Sequence, residues 1–266
     1  MKRVVVFLVI AGATTMFAFG QKKETRAVSG FTGIEASSVF EITVTKGNAE
    51  SLVIEADDAI MPQVRSEVRN GVLRLYLDRD AVRNNIKTLK ASIVMKDLDR
   101  VSLSGACKLT ANDLFMPSSF TGDCSGVSNM TVNVNTSILS IEASGASKIQ
   151  LKANVANDAK LSFSGTSNMQ AEMKAQNVKF TSSGASKMNL TGSATDINIE
   201  ISGTSRIKAE DFIVKNATVS SSGAGNVAIH VTDNLKVNSS GTSTVNYKGS
   251  PYITFNNSGA SKIKSI

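Results

Sequence analysis

From residue 101 onward, apolar and polar positions alternate around a glycine that returns every 18 to 21 residues. Six residues before this glycine stand Leu139, Val178, Ile197 and Leu235, and four before it stand Ile141, Leu161, Phe180 and Ile199. Four residues after it stand Leu109, Met130, Ile149 and Ile207, and the residues between these columns are mostly polar. A period of two on both sides of a turn predicts strands with one buried face. No window of a dozen residues carries helical spacing.

The turn itself is a repeated phrase. Ser104-Gly105-Ala106-Cys107-Lys108-Leu109, Ser125-Gly126-Val127-Ser128-Asn129-Met130 and Ser144-Gly145-Ala146-Ser147-Lys148-Ile149 are three of its nine copies, which end at Gly259. The mean interval of about 19 residues is that of a stacked solenoid, whose units cannot bury a hydrophobic face alone. Strands that recur once per coil with the same side inward stack in parallel, about 4.8 Å per step. The expectation is an all-β parallel β-helix of about nine coils over residues 101–266. Its coiling is expected to be right-handed, the hand of parallel crossovers. Ser-Gly at each corner is expected to let the backbone take a positive φ.

Residues 21–100 lack the phrase but also read as β structure. Val39 to Thr45 alternates, and Val64 to Leu77 is a hairpin around Asn70-Gly71, a strong turn signal that would turn Leu73, Leu75 and Leu77 to the core. An open first coil invites edge-to-edge aggregation, so this segment is expected to be an N-terminal β cap continuous with the rod. Residues 1–20 read as a secretory signal peptide: Lys2 and Arg3 precede the apolar run Val4 to Ile10, and Ala18-Phe19-Gly20 supplies small residues at the cleavage positions. The run is too short and too diluted for a span, so no transmembrane segment is expected in the mature chain.

Three features now stand together: the export signal, a leading segment with Val28-Ser29-Gly30-Phe31-Thr32-Gly33-Ile34 and the Asn-Gly hairpin, and the Ser-Gly-Ala/Thr-Ser-Lys/Asn-Ile/Met phrase. The combination resembles the GIN domain family, the head domain of auto-transporter adhesins of diderm bacteria, over essentially all of Arg26 to Ile266. The resemblance implies a β-helix fold and a location in the periplasm or at the cell surface, and it brings no catalytic residues. No run of about ten amphipathic strands that could form a transporter barrel follows the repeats, so self-export is not expected of this chain.

Composition excludes more chemistry than it supplies. With no tryptophan, three tyrosines and 5% aromatic residues, the stacking platforms of single-stranded nucleic-acid binders are missing, and no nucleic-acid partner is expected. One histidine, His230, and two cysteines leave few ligands for a metal, and neither metal nor cofactor is expected. Export permits a disulfide between Cys107 and Cys124. The repeat register, however, expects Cys124 to face in and Cys107 to face out, and side chains that point apart cannot be bridged.

Two outward columns hold the candidate sites. Three residues after the glycines stand Lys108, Asn129, Lys148, Asn168, Lys187, Arg206, Asn226, Thr244 and Lys262, of which five are cationic. Lys108, Lys148, Lys187, Arg206 and Lys262 would form a basic stripe, read either as a docking strip for an acidic glycan or lipid head group, or as a solvated face that prevents sideways strand pairing. Three residues before the glycines, Asp123 and Glu142 fall on successive coils. Paired acids are the apparatus of polysaccharide-cleaving enzymes, though ordinary exposed carboxylates read the same way. No catalytic residue is assigned. The leading expectation is a non-enzymatic envelope or surface rod that binds an acidic glycan, a cell-surface protein or another copy of itself. The alternatives are an enzyme acting on an acidic polysaccharide and a structural protein that self-associates through its last coil.

Overall fold

The computed structural model describes residues 20–78 and 86–266. The expected signal peptide therefore lies, except for Gly20, outside the described residues. Seven strands form the leading segment: β1 (Gln21–Arg26), β2 (Gly33–Ala36), β3 (Glu41–Lys46), β4 (Ser51–Asp57), β5 (Val64–Arg69), β6 (Val72–Leu77) and β7 (Leu89–Met95). The repeats begin with β8 (Arg100–Leu103), β9 (Lys108–Phe115) and β10 (Ser119–Cys124). Long strands then run from one corner to the next: β11 (Asn129–Ala143), β12 (Lys148–Phe163), β13 (Asn168–Ser182), β14 (Lys187–Ile201), β15 (Arg206–Ser221) and β16 (Asn226–Ser239). The last coil is split into β17 (Thr244–Lys248), β18 (Tyr252–Asn257) and β19 (Lys262–Ser265). The only helical element among the described residues is a 3-10 turn at Met61–Gln63.

Every pairing from β8 to β19 is parallel, in the register the repeat predicts: Met130 lies beside Leu109 and Ile149, and Leu161 beside Ile141 and Phe180. The fold is a parallel β-solenoid. Register slips fall at two places after the glycine corner, Val132/Asn133, Asn189/Thr191 and Ala209/Ile213 at the first and Thr136/Ile138, Asn154/Asp158 and Val214/Asn216 at the second, where the long strands depart from strict register. The strand segments before and after each glycine corner present separate outward columns. The inward columns form one continuous apolar shaft, with Ile141, Leu161, Ile199 and Val219 wholly shielded from solvent.

The corners stack by main-chain hydrogen bonds as regular as those of the strands: Val127 N–H donates to Gly105 at 2.7 Å, and Ala146 N–H to Gly126 at 2.8 Å. Glycine is required here for two reasons. Gly105, Gly126, Gly145 and Gly165 take positive φ, as expected. Gly184, Gly203, Gly223, Gly241 and Gly259 do not, yet a Cβ at Gly184 would collide with the carbonyl of Gly165, and each later corner repeats this approach. For those five the expectation was wrong in its reason: tight stacking, not backbone handedness, excludes a side chain.

Cys107 also departs from expectation. It is completely buried, because the period of two runs straight through the corner and turns both the second residue before and the second residue after the glycine inward. Serine fills most of the following column, and its buried hydroxyl needs a partner. Ser128 Oγ donates to the Ser125 carbonyl at 2.8 Å and Ser147 Oγ to that of Ser144 at 2.9 Å, each closing its own corner; Cys107 Sγ makes the same contact with Ser104. Cys107 and Cys124 are both free thiols, and burial pushes them up to about 11 and about 12 respectively.

At the N-terminal end, chain order and spatial order part. β2 pairs in parallel with β6 on one side and β8 on the other, and β3 does the same with β7 and β9. The first coil of the chain is thus inserted between two later ones. Its corner is Ser37-Ser38, where Ser38 replaces glycine at φ 81° and accepts the Ala106 N–H at 2.7 Å. The sequence phrase hid this corner because its glycine is absent. Beyond β6 and β7 the pairing becomes antiparallel: β5 on β6 through the Asn70-Gly71 turn, β4 on β7, and β1 on β4. Leu73, Leu75 and Leu77 are buried, as the hairpin reading requires.

Candidate functional site

The column three residues after each glycine is real in three dimensions. Cα register runs Lys108, Asn129, Lys148, Asn168, Lys187, Arg206, Asn226, Thr244, Lys262 without a break, and all five cationic members are exposed. Their surroundings differ. Lys108 is neutralised by Glu41 of the inserted coil at 2.8 Å, and the Lys108 hydrogen bond holds the Glu41 carboxyl below its usual range. Lys148 stands between two asparagines. Lys187 and Arg206 are direct neighbours on adjacent coils, about 4.8 Å apart along the axis, and neither makes an ion pair among the described residues.

Like charges opposed on adjacent strands repel, so this pair lowers stability unless something anionic lies across it. Lys208 sharpens the point. It faces outward two residues beyond Arg206, in register with Asn189, and it too has no ion pair among the described residues. The sequence reading passed over Lys208 because it treated only one column. The signal was available in the second column, five residues after the glycine, where Thr131, Gln150, Gln170, Asn189 and Lys208 align. Between this column and the next outward one runs a groove of about 500 Å³, whose sides include Thr131, Gln150, Gln170 and Asn189, and the Lys152–Glu172 ion pair at 3.0 Å. Hydroxyls and amides both donate and accept, so this face offers paired hydrogen-bonding groups at one repeat per coil beside a cationic edge.

The face before the corner carries the two acids. Asp123 and Glu142 are register partners, as their spacing predicts, in a groove of about 380 Å³ with Ser102, Ser125, Ser144 and Ser162. Partial burial raises the Asp123 carboxyl above its usual range, the Arg100 guanidinium at 3.8 Å opposes this, and the Glu142 charge adds to it. Glu142 is itself drawn to Lys160 at 3.5 Å. Each acid therefore has a base of its own. A second groove of about 960 Å³ shares Thr181 with the first and continues along the serine-lined corner to Ser258. His230 is half-buried beside Lys248. Among the described residues no three His, Cys, Asp or Glu side chains gather as a metal site would require. No helix among them is long and apolar enough to cross a membrane.

Solved structures share this architecture over almost the full chain. A putative adhesin from Parabacteroides merdae is 21% identical, with 93% of this chain and 96% of that one covered at a TM-score of 0.73. A putative adhesin from Parabacteroides distasonis is 20% identical over 92% and 97%, at 0.74. A putative lipid binding protein from Parabacteroides distasonis is 17% identical over 93% and 97%, at 0.70. At these identities the likeness establishes the fold. No functionally curated protein is similar in sequence. The family described as putative auto-transporter adhesin, head GIN domain, matches residues 30–157 and again 125–251, so that its pattern spans the inserted coil, the corners and the cationic face, and the chain belongs to that family.

Proposed function

We propose that this chain is an exported, adhesin-like binding rod whose face after the glycine corner holds an acidic polysaccharide lengthwise. The observation that carries this reading is the Lys187–Arg206 pair with Lys208 beside it: three exposed cations on adjacent rungs, unpaired among the described residues. Carboxylates of the polymer would bridge these rungs, while its hydroxyls meet the Gln150, Gln170 and Asn189 ladder. The adhesin names of the structural neighbours and the family description support a binding role, and the apolar-rich core leaves the outer columns free for one. A lipid head group, which the name of one neighbour suggests, would present the same anionic chemistry without the repeating hydroxyls.

The test is a binding screen of the mature chain against acidic and neutral glycans and against anionic vesicles, at low and high salt. Acidic glycans should bind at low salt and weaken as salt rises. Replacing Lys187, Arg206 and Lys208 together with Gln should weaken that binding about tenfold, since each exposed charge contact is worth up to about 1 kcal/mol. Binding that survives the triple change, or that is confined to vesicles, overturns the reading. The enzymatic alternative draws on Asp123, whose raised carboxyl suits a general acid. It requires turnover of an acidic polymer that Asp123→Asn abolishes.

A further inference from the structure

A second period runs along the outside of the rod. The residue after the corner glycine alternates from coil to coil between alanine and threonine: Ala146, Thr166, Ala185, Thr204, Ala224 and Thr242. Main-chain hydrogen bonds stack these corners directly, as Thr166 N–H donates to Gly145 and Ala185 N–H to Gly165, each at 2.8 Å. The outward column beside them alternates as well, with Lys108, Asn129, Lys148, Asn168 and Lys187 in unbroken register. Both columns are exposed, whereas the inward column of Ile141, Leu161, Phe180 and Ile199 does not alternate, so packing of the shaft does not impose the period. Avoidance of like charges does not impose it either, since Lys187 and Arg206 occupy adjacent coils.

The two alternations coincide. One kind of coil joins alanine to lysine, Ala146 with Lys148 and Ala185 with Lys187, and presents a cation beside a small apolar surface. The coil between them joins Thr166 to Asn168 and presents a hydroxyl and an amide, neither of them hydrogen-bonded among the described residues. Gln170, outward on the same coil, adds a second free amide. Lys148 and Lys187 therefore stand two coils apart, about 10 Å, with uncharged donors and acceptors between them. One pyranose advances an extended sugar chain by close to one coil. A polymer with a carboxylate on every sugar would set every second carboxylate against Asn168 instead of a cation. Resting on the polysaccharide reading above, we infer that the polymer is charged on every second sugar, as an alternating copolymer of a uronic acid and an N-acetylated neutral sugar. Its carboxylates meet Lys148 and the Lys187–Arg206 pair. The uncharged sugar between them meets Thr166, Asn168 and Gln170, whose side chains both donate to and accept from an acetamide.

Two polymers of equal chain length, titrated against the mature chain at low salt, test the inference. Hyaluronan alternates glucuronate with N-acetylglucosamine, and polygalacturonate carries a carboxylate on every sugar. Bulk electrostatics favours polygalacturonate, with about twice the charge per unit length. Hyaluronan should nevertheless bind at least about threefold tighter. Asn168→Lys puts a cation on the intervening coil and should reverse that order. Thr166→Ala with Asn168→Ala should weaken hyaluronan about tenfold and leave polygalacturonate unchanged, with the same circular-dichroism spectrum, since both side chains are exposed. Polygalacturonate binding as tightly as hyaluronan, or an order that Asn168→Lys does not alter, overturns the inference. The acidic-polysaccharide reading survives that result where the Lys187/Arg206/Lys208 change still weakens both polymers. Binding of neither polymer also overturns the inference, and the wider screen of acidic glycans then decides the reading on which it rests.

Discussion

The two ends of the rod solve the same problem differently. At the N-terminal end, antiparallel strands follow the last parallel ones, and Phe31, Ile60, Met61 and Val64 are buried beneath them. Charges there are mixed and paired, as in Arg65–Asp78, Arg69–Glu67 and Arg74–Glu35. At the C-terminal end of the described stack the parallel strands face outward uncovered, the inward column shows partly exposed isoleucine and phenylalanine, and the charges are of one sign. In a solenoid each coil is stabilised by its neighbours, so a coil with one neighbour is the first to open and the first available to a partner. Among the described residues the contrast is one of packing: the inserted coil is flanked on both sides, β18 and β19 on one.

The largest expected effect breaks that contrast with one kind of substitution at two places. Ile34 of the inserted coil is fully buried and flanked on both sides, by Leu73 and Val101. Ile34→Ala should cost roughly 2–5 kcal/mol, and the denaturant midpoint of the whole rod should fall with it. Ile263 is flanked only by Val245. Ile263→Ala should cost less than about 1 kcal/mol, because its side chain is already half in water. Equal costs in urea unfolding would show that the last coil is covered in solution.

The same comparison extends to the corner interiors. Near the N-terminal end these positions hold Cys107 and Cys124; near the other end they hold Ser221, Ser239, Ser243 and Ser261, joined across coils by Ser221–Ser243 and Ser239–Ser261 hydroxyl bonds at 2.5 Å. Burial raises both thiols, to about 11 and about 12. A raised thiol contributes stability that is whole below its unfolded value, about 8.5, and is lost as pH climbs toward its folded value. Alkaline solution should therefore destabilise the rod between about pH 8.5 and 11, by roughly 1.4 kcal/mol per unit for each thiol. Cys107→Ser restores the residue of the repeat and should flatten part of that slope in urea melts at pH 8 and pH 10. An unchanged slope would mean that Cys107 is not buried. At pH 8 a thiol reagent should label neither cysteine without prior unfolding.

The rod was legible in the sequence because its information is redundant: Ile141, Leu161 and Phe180 repeat one instruction per coil, and no single substitution hides a period. The inserted coil was not legible, since Ser38 takes the place of glycine and since strand order there does not follow chain order, a fact that no local pattern carries. Cys107 was misplaced for a narrower reason. The alternation was stopped at the corner, whereas the backbone carries it through. The acids were placed correctly as neighbours, but Arg100 and Lys160, the bases that occupy them, lie in a column that shows no motif. Lys208 needed only a second column to be read beside the first.

The smallest effect bears on why the stripe is silent at one end and charged in its middle. Glu41 sits in register with both Lys108 and Lys90, so the inserted coil supplies the carboxylate that the repeats lack in this column. The lowered Glu41 carboxyl contributes stability present above its ordinary value and lost as pH falls through the lowered one. The pair is half in water, and Glu41→Gln should change stability by less than about 0.5 kcal/mol. Its effect on binding should be the clearer readout: freeing Lys108 lengthens the positive edge toward Lys148 and should raise low-salt affinity for an acidic glycan about twofold, with no gain at high salt. If affinity instead falls, the carboxylate is part of the recognition surface, and the rod is read by its partner from the covered end rather than from its middle.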